Sequence, residues 1–267
     1  MARAWTVALV GVLVVAVAGC GLLGIKKEEK TGTVEIRVPV AEKKPAAPKP
    51  KVTPAPKVEK PKVTPTPKVA APKPVLVPLK RGVGVDIAKL FNNDAFTDKA
   101  DRKDSNLDQW GQSFPAEELP AAGKFCKKQL PSCFLFPTKD PKKKNNIACA
   151  GQTIPLAGKA KALYLLVTAT DANQEDKVAI AYADGKVDQD LKVTDWCAKA
   201  QFGEAAAASS AHRVALIGPP NEALLKLEEK KCTIWCVTIP LDAKRELKSI
   251  KLPYNAQIHI FALTLAK

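Results

Sequence analysis

Half of the prolines in this chain of 267 residues lie in one short segment, and this distribution limits its folding more than any other feature. Eleven of the 22 prolines fall between Pro45 and Pro78, and residues 39–80 contain no glycine. Proline fixes φ and lacks an amide donor, so helices and interior strands are disfavoured there. We therefore expect an extended spacer with polyproline-II character in place of a packed domain.

The same segment contains a tandem repeat. Residues 50–60 and residues 61–71 are identical at eight of 11 positions. Two such copies cannot enclose a hydrophobic core. At ~3.1 Å per residue, about 40 residues of this kind reach on the order of 120 Å. We predict a semi-rigid tether over residues 20–80, and it remains open whether its lysines also contact anionic wall polymer or lipid headgroups.

The first 20 residues have the pattern of a bacterial export signal. Arg3 precedes an uninterrupted run of apolar and small residues, 7–18. As a helix this run covers under about 20 Å, which is short of a ~30 Å hydrocarbon core, so a cleaved signal is favoured over a membrane span. Residues 17–20, Val-Ala-Gly-Cys, closely resemble the lipobox, in which cleavage leaves an acylated cysteine at the new N-terminus.

We therefore interpret residues 1–19 as a lipoprotein signal peptide and Cys20 as the lipid-attachment residue, so that a membrane becomes a partner through the anchor. An ordinary signal peptide followed by an unrelated cysteine is the alternative. The expected location is the bacterial cell envelope. Gly21 in place of aspartate is compatible with the outer membrane if the cell is Gram-negative.

The formal charge of +15 belongs mainly to the tether. Residues 21–80 contain 14 basic and five acidic residues, whereas residues 81–267 contain 27 and 22. A basic domain surface, the usual signature of nucleic-acid binding, is therefore lacking, and we expect no nucleic-acid partner. The sequence does not indicate an oligomeric state.

Residues 81–267 are dominated by strand patterns, which are short β-branched and apolar runs bounded by Gly, Pro, Asn and Asp. The run 160–170 is apolar on both faces, as in a strand inside a sandwich. Residues 178–194 predict a hairpin turning at Asp184-Gly185. Further strands are predicted at 212–217, 232–239, 249–252 and 257–265, the last with simple alternation, and weak helical patterns at 198–210 and 222–230. The predicted fold is one all-β domain, an antiparallel β-sandwich of jelly-roll type.

Several strings in this domain are similar, in the same order, to a known family. They are VDIAKLFNNDAFT (85–97), DRKDSNLDQWGQSFPAEELP (101–120), NNIACAGQTIPLAG (145–158), YADG (182–185), TDWC (194–197) and IPLDAKRELKSIKLPYNAQIHIFALTL (239–265). Together they resemble the galactose-binding-like jelly-roll domain of bacterial secreted glycoside hydrolases, including α-L-fucosidase-like proteins. The resemblance implies a carbohydrate-binding-module type of sandwich without catalysis, because the hydrolase is a separate domain there. Residues 109–112 and 214–216 lack the glycine-rich stretches expected of the family.

We predict no catalytic residues. The only histidines are His212 and His259, and no GxSxG, HExxH or P-loop motif occurs. His259 is expected to be an ordinary packed or surface residue of a strand. Glu117 and Glu118 are adjacent and suit a solvated corner better than a separated acid and base.

Two candidate sites nevertheless follow from residue type. One is a structural Ca²⁺ site, the single cofactor considered, because oxygen ligands alternate along one segment. The ligands of this Ca²⁺ site would be Asp101, Asp104, Asn106 and Asp108. The alternative is that this segment is a polar surface turn. The other is a sugar site with an aromatic platform and hydrogen-bonding side chains, for which we propose Trp110, His212 and Arg213. Trp196 and Trp235 lie in apolar surroundings and are expected in the core.

Six cysteines remain after Cys20, an even number that suggests disulfides in an exported chain: Cys126, Cys133, Cys149, Cys197, Cys232 and Cys236. Cys232 and Cys236 on one strand would lie ~13 Å apart, beyond bridging range. Cys126 and Cys133 flank a loop and can close on each other. Cys232 and Cys236 would then pair with Cys149 and Cys197, and buried free thiols are the alternative.

The predicted function is thus a membrane-anchored lipoprotein that displays a non-catalytic β-sandwich module, with polysaccharide as the expected ligand. A structural or protein-binding component of the cell envelope is the competing hypothesis.

Overall fold

The computed structural model describes residues 76–79, 81–218 and 224–266, and within these ranges it is almost entirely β-structure. The strands are β1 (Leu76–Leu79), β2 (Gly82–Val85), β3 (Phe96–Thr97), β4 (Phe114–Pro115), β5 (Gly123–Phe125), β6 (Phe134–Phe136), β7 (Ile147–Ala148), β8 (Thr153–Gly158), β9 (Ala162–Ala169), β10 (Gln174–Tyr182), β11 (Gly185–Val193), β12 (Ala205–Ile217), β13 (Leu224–Pro240), β14 (Leu247–Lys251) and β15 (Ile258–Ala266). Single 3-10 turns occur at Ala88–Leu90 and Ala116–Glu118. This confirms the predicted all-β fold class.

The predictions for the signal peptide, for Cys20 and for the tether as far as residue 75 lie outside the described residues. In the described ranges, no helix is both long enough and apolar enough to cross a membrane.

Two larger sheets form the sandwich. A seven-stranded sheet has the order β1-β2-β15-β9-β13-β12, with β7 added beside β15, and a four-stranded sheet has the order β11-β10-β14-β8. Strand pairs in both sheets are antiparallel. Two small ribbons complete the fold: β5 pairs with β6, and β3 pairs in parallel with β4.

The seven-stranded sheet is apolar on both faces because each face covers its own core. Along β9, Leu163 and Leu165 contact the core shared with the four-stranded sheet, whereas Leu166 contacts a second core. Residues from 95–136, including Phe96 and Phe114, cover that second core. The apolar run at 160–170 is therefore a central strand, as predicted, since successive side chains of a strand point to opposite faces.

The final strand, β15, departs from simple alternation. Its pairing with β9 shifts register between Ile260 and Ala262. The extra residue of this bulge moves Leu263 into the same core as Ile258, whereas Phe261 enters the second core. The alternation predicted for 257–265 is wrong beyond Phe261, because the bulge resets the phase.

The two helical patterns are also wrong. Residues 205–217 and 224–240 form β12 and β13, the longest strands of the described chain, and these pair with each other. Alanine-rich sequence has high helix propensity, but pairing with an apolar neighbouring strand overrides this weak preference. The hairpin of β10 and β11 is confirmed with its turn one residue earlier, at Ala183-Asp184, because Tyr182 pairs with Gly185.

The predicted tether boundary at residue 80 needs a correction as well. Leu76–Leu79 form β1, which pairs with β2 at the edge of the seven-stranded sheet. Pro78 is tolerated there because an edge strand does not need every amide for pairing.

Two of the predicted cysteine pairs form. Cys126 bonds to Cys133, and Cys197 bonds to Cys232, with Cα atoms 4.4 and 4.2 Å apart. Cys149 and Cys236 are buried free thiols, and burial raises the pKa of each. The expectation that Cys236 pairs with Cys149 or Cys197 is wrong: Cys197 is bonded to Cys232, and Cys149 belongs to the core on the opposite face of the seven-stranded sheet from Cys236.

Candidate ligand-binding site

Trp110 lies on a tight loop that pushes its indole into solvent. Oδ1 of Asp108 accepts the backbone N–H groups of Trp110 and Gln112, both at 2.9 Å. Gly111 has a φ of 71°, a conformation that glycine adopts without strain. As a result the Trp110 side chain is 65% exposed although Asp108 beneath it is buried. Burial raises the pKa of Asp108, and the two backbone hydrogen bonds oppose that rise.

The exposed indole is held in place by hydrogen bonds. Nε1 of Trp110 donates to Oδ1 of Asp171 at 3.2 Å, and Nε2 of Gln257 donates to Oδ2 of the same carboxylate at 3.2 Å. Asp171 and Ala172 have φ values of 60° and 125°. Aspartate tolerates the left-handed region, but a φ of 125° at alanine is strained, and strained backbone is concentrated at functional sites.

Arg213 joins the same surface from β12. Its Nη1 donates to Oε1 of Gln112 at 2.6 Å, and its Nε donates to Oε2 of Glu228 at 2.5 Å. Backbone hydrogen bonds between Ser113 and Val214, of 3.1 and 2.9 Å, fasten the loop to the strand. We call the group formed by Trp110, Gln112, Asp171, Arg213 and Gln257 the Trp110 surface.

His212, the third predicted sugar-binding residue, is committed elsewhere. Its Nδ1 lies 2.6 Å from Oε1 of Glu118, and Oε2 of Glu118 accepts the backbone amides of Ala211 and His212 at 2.6 and 3.2 Å. Burial would raise the pKa of Glu118, but these hydrogen bonds lower it. His212 therefore joins β12 to the turn that carries Glu118. Among the described residues, it makes no hydrogen bond to the Trp110 surface.

The predicted solvated corner at Glu117 and Glu118 is instead paired. Glu117 forms an ion pair with Arg102, while Glu118 binds His212. The two carboxylates, adjacent in sequence, therefore fasten two different segments of the chain.

The four predicted calcium ligands are used for loop structure. Asp104 accepts the backbone amide of Asp98 at 3.1 Å, and Asp101 accepts that of Lys103 at 2.9 Å. The backbone N–H of Asn106 donates to the carbonyl of Asp94, and Asp108 supports the Trp110 loop. Among the residues that the structure describes, no group of three or more His, Cys, Asp or Glu side chains is placed to hold a metal ion. The structure thus gives the calcium prediction no support.

His259 is a buried residue of β15, as predicted, and it ends a chain of polar side chains. Its Nδ1 lies 3.0 Å from Oδ1 of Asn146, whose Nδ2 donates to Oδ1 of Asn145 at 3.1 Å. The Nδ2 of Asn145 in turn donates to Oδ1 of Asp94. Burial lowers the pKa of His259 to about 4, whereas burial raises that of Asp94 to about 6.

Sequence reasoning found Trp110 and Arg213 but missed Gln112, Asp171 and Gln257. Asp171 lies 61 positions from Trp110, and Gln257 lies 86 positions from Asp171. Asp171 lies outside the strings that carry the family resemblance, and Gln257 is one ordinary polar residue within the string 239–265, so only the fold brings the two residues together. Trp196 and Trp235 are buried, as predicted.

A comparison with family models matches residues 83–267 to the family described as AziU2-like beta-sandwich domain. No curated protein matches the chain.

Proposed function

Starting from the fact that the chain belongs to the AziU2-like β-sandwich domain family, we propose that it is a lipid-anchored envelope protein whose sandwich binds carbohydrate without catalysis. We also propose that the sandwich is a jelly roll of the galactose-binding-like type, because the sequence strings quoted above resemble those of that family. The observation that carries it is Trp110, a large aromatic side chain that is 65% exposed yet fixed by a hydrogen bond.

An exposed indole of this kind suits a sugar ring. Its face offers an apolar platform for the C–H groups of a pyranose, while its edge is already anchored through Nε1. Fixing the ring beforehand reduces the entropy lost when a ligand binds. A solvent-exposed tryptophan held this way is therefore better explained by ligand stacking than by packing.

The surrounding polar groups suit the hydroxyls of the same ring. Gln112 uses only its oxygen in binding Arg213, and each oxygen of Asp171 accepts a single hydrogen bond from the described residues. A carboxylate oxygen accepts two hydrogen bonds and an amide nitrogen donates two, so both side chains keep capacity for a ligand. Convergent polar groups around an apolar platform are typical of small-ligand sites.

Binding should be lost when the platform is removed. For the full chain in detergent on a glycan array, we expect Trp110→Ala to reduce retention of any bound glycan at least tenfold, since stacking and preorganisation are both removed. Trp110→Phe should retain part of the binding because a ring remains. Leu216→Ala is the matched control, because Leu216 is a comparably exposed apolar side chain at 59%. Equal retention by Trp110→Ala and the unaltered chain would disprove the role of the Trp110 surface.

The anchor is tested separately. We expect the intact mass of the purified protein to show loss of residues 1–19 and addition of acyl chains at Cys20, with detergent needed for extraction from membranes. Cys20→Ser should abolish both the added mass and the membrane association. A mature protein that starts elsewhere and carries no lipid would exclude the lipoprotein assignment.

One observation favours the competing function, a protein-binding component of the envelope. The end of the β12–β13 hairpin exposes Leu216, Leu224 and Leu227. Exposed apolar groups of this kind occur at protein-interaction surfaces. In that case Leu216→Ala would reduce co-purification of an envelope protein, and Trp110→Ala would leave it unchanged.

A further inference from the structure

A second cleft, separate from the Trp110 surface, lies beside the Cys197–Cys232 disulfide. It has a volume of about 610 Å³, and three of the residues that line it are Lys199, Lys230 and Lys231. Its apolar wall includes Ala198 and Trp235. We call it the lysine cleft.

Two features of the fold bring these lysines together: the link between the segments at Cys197 and Cys232, and a bulge in β13. The disulfide joins Cys197, two residues before Lys199, to Cys232, which follows Lys231. In addition, the N–H of Thr233 donates to the carbonyl of Trp196 at 2.6 Å. Segments that lie 35 residues apart in sequence therefore form one rigid wall.

The second feature is a bulge in β13. Ser210 pairs with Cys232, and His212 pairs with Glu229, so Lys230 and Lys231 together oppose the single residue Ala211. In a regular strand, consecutive side chains point to opposite faces, but a bulge redirects one of them. Both lysines line the same cleft as a consequence.

The cleft has a net positive charge. Lys199, Lys230 and Lys231 are exposed, and none of them forms an ion pair with another described residue. The lining includes one carboxylate, Glu204, whose Oε1 accepts the N–H of Thr194 and whose Oε2 accepts that of Phe202, both at 2.8 Å. Three lysines against one glutamate leave the lining with a net positive charge, and among the described residues Glu204 forms no ion pair with any of the three.

The cations of the lining are compatible with a phosphate group. Lysine is a common phosphate ligand, because its ammonium group is a compact point charge with three rotatable donors. The lining contains lysine but no arginine. The apolar wall leaves room for the group that bears the phosphate. We propose that the lysine cleft is a phosphate-binding site for a phosphorylated ligand, either a sugar phosphate or a phospholipid headgroup.

The test measures phosphate binding by the full chain carrying Cys20→Ser, so that no acyl chain contributes. The probes for calorimetry are inorganic phosphate, glucose 6-phosphate and glucose. The variant Lys199→Gln/Lys230→Gln/Lys231→Gln should bind both phosphates at least tenfold more weakly. The control Lys186→Gln/Lys226→Gln/Lys248→Gln removes the same charge from exposed positions outside the cleft and should bind as the parent does. Near-ultraviolet circular dichroism checks that both variants fold.

Flotation with vesicles of phosphatidylglycerol or of phosphatidylcholine alone distinguishes the two sources of phosphate. Tighter binding of glucose 6-phosphate than of inorganic phosphate identifies a phosphorylated saccharide, and cleft-dependent flotation with phosphatidylglycerol identifies a lipid headgroup. Equal losses in the two triple variants would overturn the proposal, because binding would then follow overall charge. Absence of phosphate binding at millimolar concentration would also overturn it. Neither result depends on the Trp110 surface, so the sugar proposal stands or falls separately.

Discussion

Replacing Phe261 with alanine should lower the free energy of unfolding by about 3–5 kcal/mol. Phe261 has no exposed surface, and its ring stacks on Phe96 with centroids 5.4 Å apart. It also meets the edge of Phe114 at 6.4 Å. Truncation removes the transfer energy of the ring and leaves a cavity between the seven-stranded sheet and the segment that covers it.

Urea denaturation followed by tryptophan fluorescence measures this effect. Phe261→Leu should cost less than the alanine variant because it retains most of the buried carbon atoms. Tyr254→Ala is the control for loss of an aromatic ring, since Tyr254 is 78% exposed, and its cost should be within about 0.5 kcal/mol. A cost below about 1 kcal/mol for Phe261→Ala would mean that the second core does not stabilise the sandwich.

The second large effect is a pH dependence produced by His259. Its pKa is lowered from 6.5 to about 4 by burial, so the folded state keeps the ring neutral. On acidification, His259 of the unfolded chain binds a proton at a higher pH than His259 of the folded chain. The neutral buried ring therefore contributes stability that is present above pH 6.5 and is lost as the pH falls through 4. A pKa difference of this size corresponds to about 3 kcal/mol.

Asp94 acts in the opposite direction. Burial raises its pKa from 3.8 to about 6, so the folded state favours the protonated carboxyl. Its contribution is present below pH 4 and is lost as the pH rises through 6. The residue is only half-buried, so we expect about 1–2 kcal/mol after allowing for solvent screening. In the parent protein the two contributions partly cancel between pH 4 and 6.5.

Separate variants of Asp94 and His259 should reveal how each residue contributes to the dependence of stability on pH. Asp94→Asn keeps an oxygen to accept the N–H groups of Phe96 and Asn145, so it should be more stable than the parent at pH 7 and lose stability more steeply on acidification. His259→Gln should lose the slope due to histidine, and the remaining dependence should reverse in sign. Thermal unfolding from pH 4 to pH 7.5 measures all three proteins. Parallel curves for the parent and both variants would contradict the assignment.

Particular elements show how far the sequence could be interpreted. The two-sided apolar run of β9 predicted a central strand, because burial on both faces leaves a continuous apolar segment in the sequence. The bulges in β13 and β15 leave no such trace. Each depends on register with a neighbouring strand, and local composition does not encode this register.

The candidate site divides in the same way. Trp110 stood out as an aromatic residue in a polar loop, and Arg213 followed from residue type. Asp171 and Gln257 were not recognisable, since each is an ordinary polar residue until the fold places it against the indole. His212 was assigned to the sugar site on residue type, and the structure shows it bound to Glu118.

Composition and hydrophobic period along the chain were enough to predict an all-β domain over residues 81–267 and a long proline-rich segment before it. The folded structure was needed to show which cysteines pair, which face each residue of β15 occupies, and which lysines line one cleft. These outcomes depend on distances between segments that are remote in sequence, such as Cys197 and Cys232. Such distances are established only when the strands pair in their final register and the two hydrophobic cores are packed.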